Sequence, residues 1–315
     1  MQQLKVKALA VTGPTAVGKT AFAIALAKAY NGEIISCDSM QIYRGMDVGT
    51  AKATHVEQSE APHHMLDICN PEEPYSAADY AKEAYRIARD IAARGRLPIF
   101  CGGTGLYLEA VRTGRHETEG HADDAYRESL LRLAEEKGSE VLHAQLAEVD
   151  AQAAAAIHPN NVKRVIRALE IFHVTGKTKT EQDKESVERE PQMELCTFCL
   201  TFHNRERLYQ RIDARVEAMM AEGLLDEARA LYGAPMSQTA RQAIGYKELF
   251  AVFDGEDTLE GAKEKIKLAS RRYAKRQLTW FLAKPHTLLY RDKGEELVST
   301  EALLEEAAPI IEAFI

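Results

Sequence analysis

The chain has 315 residues, 45% of them apolar and 28% charged, which excludes a low-complexity or collagen-like polymer and sets an expectation of two domains. Lys and Arg number 40 against 48 Asp and Glu, and the formal net charge of −8 argues mildly against a polyanionic partner. Apolar runs are broken by charge well short of the ~18 residues of a membrane span, and Met1–Lys7 leads straight into a strand pattern rather than a signal peptide, so a cytoplasmic protein with no membrane partner is expected.

Ala8-Leu9-Ala10-Val11 is a short apolar run of the kind that forms a buried parallel strand. It enters Gly13-Pro14-Thr15-Ala16-Val17-Gly18-Lys19-Thr20, which fits G-x-x-x-x-G-K-[ST] at every fixed position. Ala21–Tyr30 then reads as a helix closed by Asn31-Gly32. Glycines let backbone amides turn inward around a di- or triphosphate, and the helix N-terminus adds its positive end. Lys19 places a point charge against the phosphates, and Thr20 can hold Mg²⁺.

Glu33–Cys37 reads as a second strand that delivers Asp38-Ser39-Met40-Gln41 at its C-terminal end, where open α/β sheets bind ligands. Three roles are open to Asp38 on this ground: a water-mediated Mg²⁺ ligand, a general base, or a helix cap. A third apolar segment, Leu97–Cys101, ends in Gly102-Gly103-Thr104-Gly105-Leu106-Tyr107. A nucleotide hydrolase would carry an Asp at this strand end, and Cys101 stands there instead.

From Asp123 to Val174 strand signals give way to an Ala- and Leu-rich pattern of helical period, bounded by Thr113-Gly114 and Gly176. Strand signals resume at Leu195–Phe202. The expected architecture is α/β: a P-loop NTPase-like parallel sheet core of residues 1–114 and 195–315, interrupted by an all-helical domain at 115–194. Five cysteines, an odd count, predict reduced thiols; the C-x-x-C pair Cys196 and Cys199 lies in an apolar strand pattern and reads as packing.

These motifs together resemble the tRNA dimethylallyltransferase family. GPTAVGKT, CDSMQIYRGMDVGTAK at Cys37–Lys52, HHMLDI at His63–Ile68, PYSAADY at Pro74–Tyr80 and GGTGLY at Gly102–Tyr107 carry the likeness through the first half. HPNNVKRVIRALEIF at His158–Phe172, AIGYKE at Ala243–Glu248 and RRYAKRQLTWF at Arg271–Phe281 extend it through the second. The absence of any Cys after Cys199 favours the bacterial form over eukaryotic members with a C-terminal zinc finger.

The resemblance implies transfer of a dimethylallyl group from its diphosphate to the exocyclic amine of the adenosine 3′ of the anticodon. It gives the phosphate loop, Gly13 to Thr20, to the prenyl diphosphate, with Lys19 neutralising it and Thr20 binding Mg²⁺. Asp38 becomes the general base, Thr104 touches the bridging oxygen, and Arg215 reaches the diphosphate; Arg211 shares its helix face. Contacts to tRNA are implied for Asp38, Ser39, Met40, Gln41, Thr104, Arg127 and the run Lys163-Arg164-Val165-Ile166-Arg167. The helical domain would grip the anticodon stem-loop, and the protein is expected to be a monomer.

Local charge fits such a partner better than the total does. Five basic residues stand against Glu170 between 161 and 179, and seven against Glu264 between 263 and 276. Lys263, Lys267, Arg271 and Lys275 are spaced i, i+4 and predict one basic helical stripe toward RNA, with Ile266, Ala269, Tyr273 and Leu278 on the packing face. Acid collects at Glu117, Glu119, Asp123 and Asp124 and in the terminal segment. Rival readings are a small-molecule kinase using ATP, a nucleotide-gated RNA-binding module without chemistry, and a prenyltransferase acting on free AMP.

Overall fold

Apolar runs become strands here because a parallel sheet covered on both faces leaves no side of a strand to water. The computed structural model describes residues 5–114, 123–188, 191 and 193–315. Its strands β1 (Val6–Thr12), β2 (Gly32–Ser36), β3 (His63–His64), β4 (Leu97–Cys101), β5 (Met193–Thr201) and β6 (Thr287–Tyr290) form one sheet in the order β3-β2-β4-β1-β5-β6, every pair parallel. A short antiparallel pair, β7 (Asp292–Lys293) and β8 (Glu296–Leu297), follows.

Two compact units divide the chain: Met1–Arg112 with Gln192–Ile315, and Thr113–Pro191. The first carries the sheet and the helices α1 (Lys19–Ala29), α2 (His55–Glu60), α3 (Ala77–Ala93) and α4 (Gly105–Thr113). The second holds α5 (Asp124–Lys137), α6 (Ser139–Val149), α7 (Ala151–Ala156), α8 (Val162–Thr175) and α9 (Lys179–Glu188). The first unit resumes with α10 (Arg205–Ala221), α11 (Leu224–Leu231), α12 (Gln238–Arg241), α13 (Tyr246–Phe253), α14 (Leu259–Leu282) and α15 (Thr300–Phe314). A boundary at 194/195 is corrected by the ladder itself, since Met193 and Glu194 already pair with Val6 and Lys7. Glu117 and Glu119 lie outside the described residues.

Alternation along β1 builds two cores. Leu9 and Val11 join Phe22 and Leu26 of α1 and Ile311 of α15 on one face. Ala8 and Ala10 join Tyr80 and Ala84 of α3 and Val111 of α4 on the other. A third cluster packs Ile42, Tyr43 and Met46 against Leu224, Tyr246 and Ile266. The helical unit has its own core, centred on Leu142, Leu146, Val165 and Leu169. On β5, Cys196 and Cys199 fall in opposite cores, so the C-x-x-C pair cannot close on one metal ion.

One charged residue sits inside the sheet. Glu33 on β2 is 2% exposed and accepts from Arg94, Arg96 (2.6 Å) and His64 (2.7 Å). These partners, Arg94 foremost, hold its carboxyl down to about 2. Its stabilisation is therefore present above pH 4.5 and is lost as the pH falls toward 2. Glu33→Gln is expected to cost roughly 3 kcal/mol at pH 7, because it removes the buried carboxylate on which Arg94, Arg96 and His64 converge. Thermal melts of the two proteins should converge in acid, and a pH-independent gap would remove the ionic explanation.

Candidate active site

The phosphate loop is shaped by positive-φ residues, with Gly13 at φ 129°, Ala16 at 65° and Gly18 at 95°. A Cβ on Gly13 would lie 2.3 Å from the Leu200 carbonyl oxygen, so the close approach of β5 permits only glycine there. Lys19, in the first turn of α1, donates from Nζ to the carbonyls of Gly13 (3.1 Å) and Pro14 (2.8 Å). Burial pushes its pKa down to about 8 against the opposing pull of Cys101 and Asp38. A buried ammonium in this state is poised to take an anion.

The second strand end lies beside it. Asp38 Oδ1 accepts the Met40 N–H at 2.9 Å, and Thr104 Oγ1 accepts the Ser39 N–H at 3.0 Å. Thr104 in turn donates its amide to the Cys37 carbonyl at 3.1 Å. This contact needs Gly102, where a Cβ would stand 2.0 Å from the same carbonyl oxygen. Asp38, Ser39, Met40, Gln41 and Thr104 are thus one connected turn, placed at the sheet's carboxyl edge as the sequence predicts.

Two cavities meet at this turn. The larger, about 880 Å³, is lined by Thr15, Gly18, Lys19, Thr20, Cys101, Arg211 and Arg215. The smaller, about 450 Å³, has an apolar wall of Ile212, Val216, Met219, Leu224 and Ile266. Asp38, Arg215 and Tyr273 line both. Burial lowers the Arg215 pKa, and the Asp38 carboxylate acts in the opposite sense. Burial also pushes the Cys101 thiol up to about 12, which keeps it neutral and unsuited to nucleophilic work.

Three contributors to this site have no role in the sequence analysis or only a minor one. Gln277, 5% exposed, accepts the Thr15 N–H at 2.9 Å and donates to the Gly103 carbonyl at 3.0 Å, joining both glycine-rich turns. Tyr273, one helical turn earlier on α14, directs its hydroxyl toward Thr104 and Gln277. Arg211 donates from Nε to the Ala16 carbonyl at 3.0 Å. The signal was the i, i+4 spacing of Tyr273 and Gln277 inside RRYAKRQLTWF.

The basic stripe on α14 requires correction. Lys263 and Lys267 pair with Glu217 of α10 at 3.1 and 2.7 Å, and with Glu260 and Glu264 of their own helix. Arg271 pairs with Asp213 at 3.0 Å. These three cations seal α14 against α10 rather than forming an open face, and only Lys275 of the four is exposed. The buried face is Ala262, Ile266, Ala274, Gln277 and Phe281, so of the four expected packing residues only Ile266 is buried.

In the helical unit, Val165 and Ile166 are likewise corrected: both are buried in its core, because a 3.6-residue period turns them away from Lys163 and Arg164. Lys163 and Arg164 are exposed. Arg127 and Arg167 both pair with the buried Glu170, at 2.6 and 2.7 Å, each keeping about a third of its side chain exposed (37% and 35%). Among the described residues, no group of three His, Cys, Asp or Glu side chains is placed to hold a metal ion. Nor is any helix there long and apolar enough to cross a membrane.

The IPP transferase family model matches residues 41–284, and an isopentenyl transferase model matches 6–68. A tRNA dimethylallyltransferase of Geobacillus thermodenitrificans is 52% identical over 276 residues, 87% of each chain. That of Bacillus subtilis is 51% identical over 282 residues, 89% of each chain. Among solved structures, a tRNA isopentenylpyrophosphate transferase from Bacillus halodurans aligns with a TM-score of 0.71 at 44% identity, covering 98% of this chain and 97% of that one. A eukaryotic dimethylallyltransferase acting on tRNA aligns with a TM-score of 0.81 at 27% identity, over 98% and 80% of the chains.

Proposed function

The chain belongs to the IPP transferase family and is a prenyltransferase acting on tRNA, and from that premise we propose the donor, the acceptor atom and the residues that do the chemistry. The donor is dimethylallyl diphosphate. The acceptor is the exocyclic N6 amine of the adenosine immediately 3′ of the anticodon, and the products are N6-isopentenyladenosine and diphosphate. The observation that carries this reading is the placement of Asp38 and Arg215 where a phosphate-loop cavity meets an apolar one.

The diphosphate lies on the loop amides from Gly13 to Thr20, against Lys19 and Arg215, and the allylic tail enters the apolar cavity. Breaking the C1–O bond concentrates negative charge on the departing diphosphate, so cationic and N–H groups fixed there favour the transition state over the ground state. Thr104 meets the bridging oxygen. As the N6–C1 bond forms the amine becomes acidic, and Asp38 takes its proton.

Mg²⁺ fits this cavity, since it keeps several waters and leans on substrate phosphate oxygens rather than on a preformed carboxylate cage. Thr20, which lines the cavity beside Lys19, would hold it. When bound it supplies further neutralisation of the diphosphate.

The adenosine must leave its stack to reach Asp38, at a cost of a few kcal/mol that is smaller in a loop than in a duplex. The helical unit grips the anticodon stem-loop through Lys163 and Arg164, with Arg127 and Arg167 oriented by Glu170. Ser39, Met40 and Gln41 contact the loop from the core, and the protein acts as a monomer.

Incubation with labelled dimethylallyl diphosphate and unmodified tRNA or AMP, followed by nucleoside digestion, tests this. Label should appear in N6-isopentenyladenosine of the anticodon loop, depend on Mg²⁺, and be absent from AMP. Label in a different nucleoside, or efficient labelling of AMP, would overturn the assignment of the acceptor.

A further inference from the structure

The segment from Asp47 to Lys52 walls both cavities, with Gly49 and Thr50 on the smaller and Asp47, Val48, Thr50 and Ala51 on the larger, yet takes no part in the steps above. A carboxylate from another element sets its shape. Glu227 of α11 accepts the N–H groups of Asp47 (2.8 Å) and Val48 (2.9 Å) on Oε2. On Oε1 it accepts the Gly49 N–H at 2.9 Å and the Tyr246 hydroxyl at 2.6 Å. Successive amides converging on one anion form a nest, a geometry usually met around bound phosphate. Here the protein supplies the anion itself.

Neighbouring contacts make the arrangement directional. The fully buried Tyr246 presses on Gly49, where a Cβ would lie 2.6 Å from its ring. At the far end Lys52, 8% exposed, donates to the Tyr43 carbonyl at 2.8 Å and to the carboxylates of Asp67 (2.5 Å) and Asp47. Between these anchors Gln41 donates to the Thr50 and Ala51 carbonyls, both at 3.2 Å, and accepts from the Ser36 hydroxyl at 2.9 Å. Gln41 adjoins the Asp38–Met40 turn, so the contacts run from Glu227 through residues 47–51 to Asp38.

We propose that Glu227 is a positioning residue for prenyl transfer: an internal anion that organises the amides of Asp47, Val48 and Gly49 and, through Thr50 and Gln41, fixes the aim of Asp38. This rests on Asp38 as the group that accepts the proton. The phosphate loop is braced separately by Gln277, so the loss of Glu227 acts on the rate and spares donor affinity.

Glu227→Ala is expected to lower kcat by about 30-fold, the scale of a sub-ångström misplacement, with KM for dimethylallyl diphosphate little changed. Sodium formate should refill the nest and restore rate saturably, whereas formamide should not. Tyr246→Phe keeps the ring on Gly49 and removes one hydrogen bond, so kcat should fall about threefold with little change in melting temperature. It decides the matter if Glu227→Ala does not fold.

Native kcat in both variants, a loss confined to donor KM, or no response to formate would each overturn the proposal. Asp38→Asn serves as the control. Native activity there would fail the assignment of Asp38, whereas an inactive Asp38→Asn beside a fully active Glu227→Ala would fail the nest alone.

Discussion

Asp38→Ala is expected to lower the single-turnover rate of prenyl transfer by about 10³-fold while tRNA affinity stays within about twofold. The asymmetry follows from placement. Asp38 is one residue of a turn whose shape is also set by the Ser39–Thr104 contact and by Gln41, so removing the carboxylate takes away a proton acceptor and leaves most of the surface. Rapid-quench single turnovers with saturating donor, paired with filter binding of tRNA, separate the two effects. Weak binding with native single-turnover chemistry would reassign Asp38 to recognition.

Lys19 should impose the alkaline limb of the pH profile. Burial holds its pKa at about 8, below the ordinary 10.5, and a bound diphosphate requires the charged form. As pH rises through about 8 the free enzyme loses that charge, so kcat/KM for the donor should fall tenfold per unit. The same shift acts on stability with a definite sign. Keeping the ammonium charged opposes folding below pH 8, and that penalty fades between 8 and 10.5. Lys19→Arg, whose guanidinium stays charged throughout the range, should abolish the limb. Lys19→Met should lower kcat/KM by about 10²-fold at pH 7 and also flatten the profile. A limb that persists in Lys19→Arg would place the titrating group elsewhere.

The parts of the site legible in the sequence are those whose chemistry is local. The loop from Gly13 to Thr20 declares itself because strand, glycines, lysine and helix are contiguous. Asp38 and Thr104 are legible one step further, since strand ends in a parallel sheet share one edge. Gln277 was not, because its partner Thr15 is 262 residues away and nothing in a helical repeat says which polar residue points inward. Charge spacing on α14 misled for a related reason. The i, i+4 rule places Lys263, Lys267 and Arg271 on one face but does not tell that Glu217 and Asp213 of α10 occupy it. Val165 and Ile166 show the reverse: the basic run is contiguous in sequence, but helical period puts those two side chains inside.

The place of β1 in the sheet has a consequence for synthesis. It is made before either of its partners, β4 and β5, and the Phe198 carbonyl of β5 accepts the Thr12 hydroxyl across 186 residues of sequence. At about 5–20 residues per second the ribosome completes β1 roughly 9–38 s before the last residue of β5 exists to pair with it. Through that interval the nascent chain holds a strand of apolar character with an unsatisfied edge, the condition in which chains associate with one another. Such distant pairing costs little in equilibrium stability, because loop-closure entropy grows only logarithmically, but it slows folding strongly. The demand falls on cotranslational protection: ribosome-bound chains halted before β5 is made are expected to bind a holdase more strongly than chains halted after it, and equal binding would remove the edge as the cause.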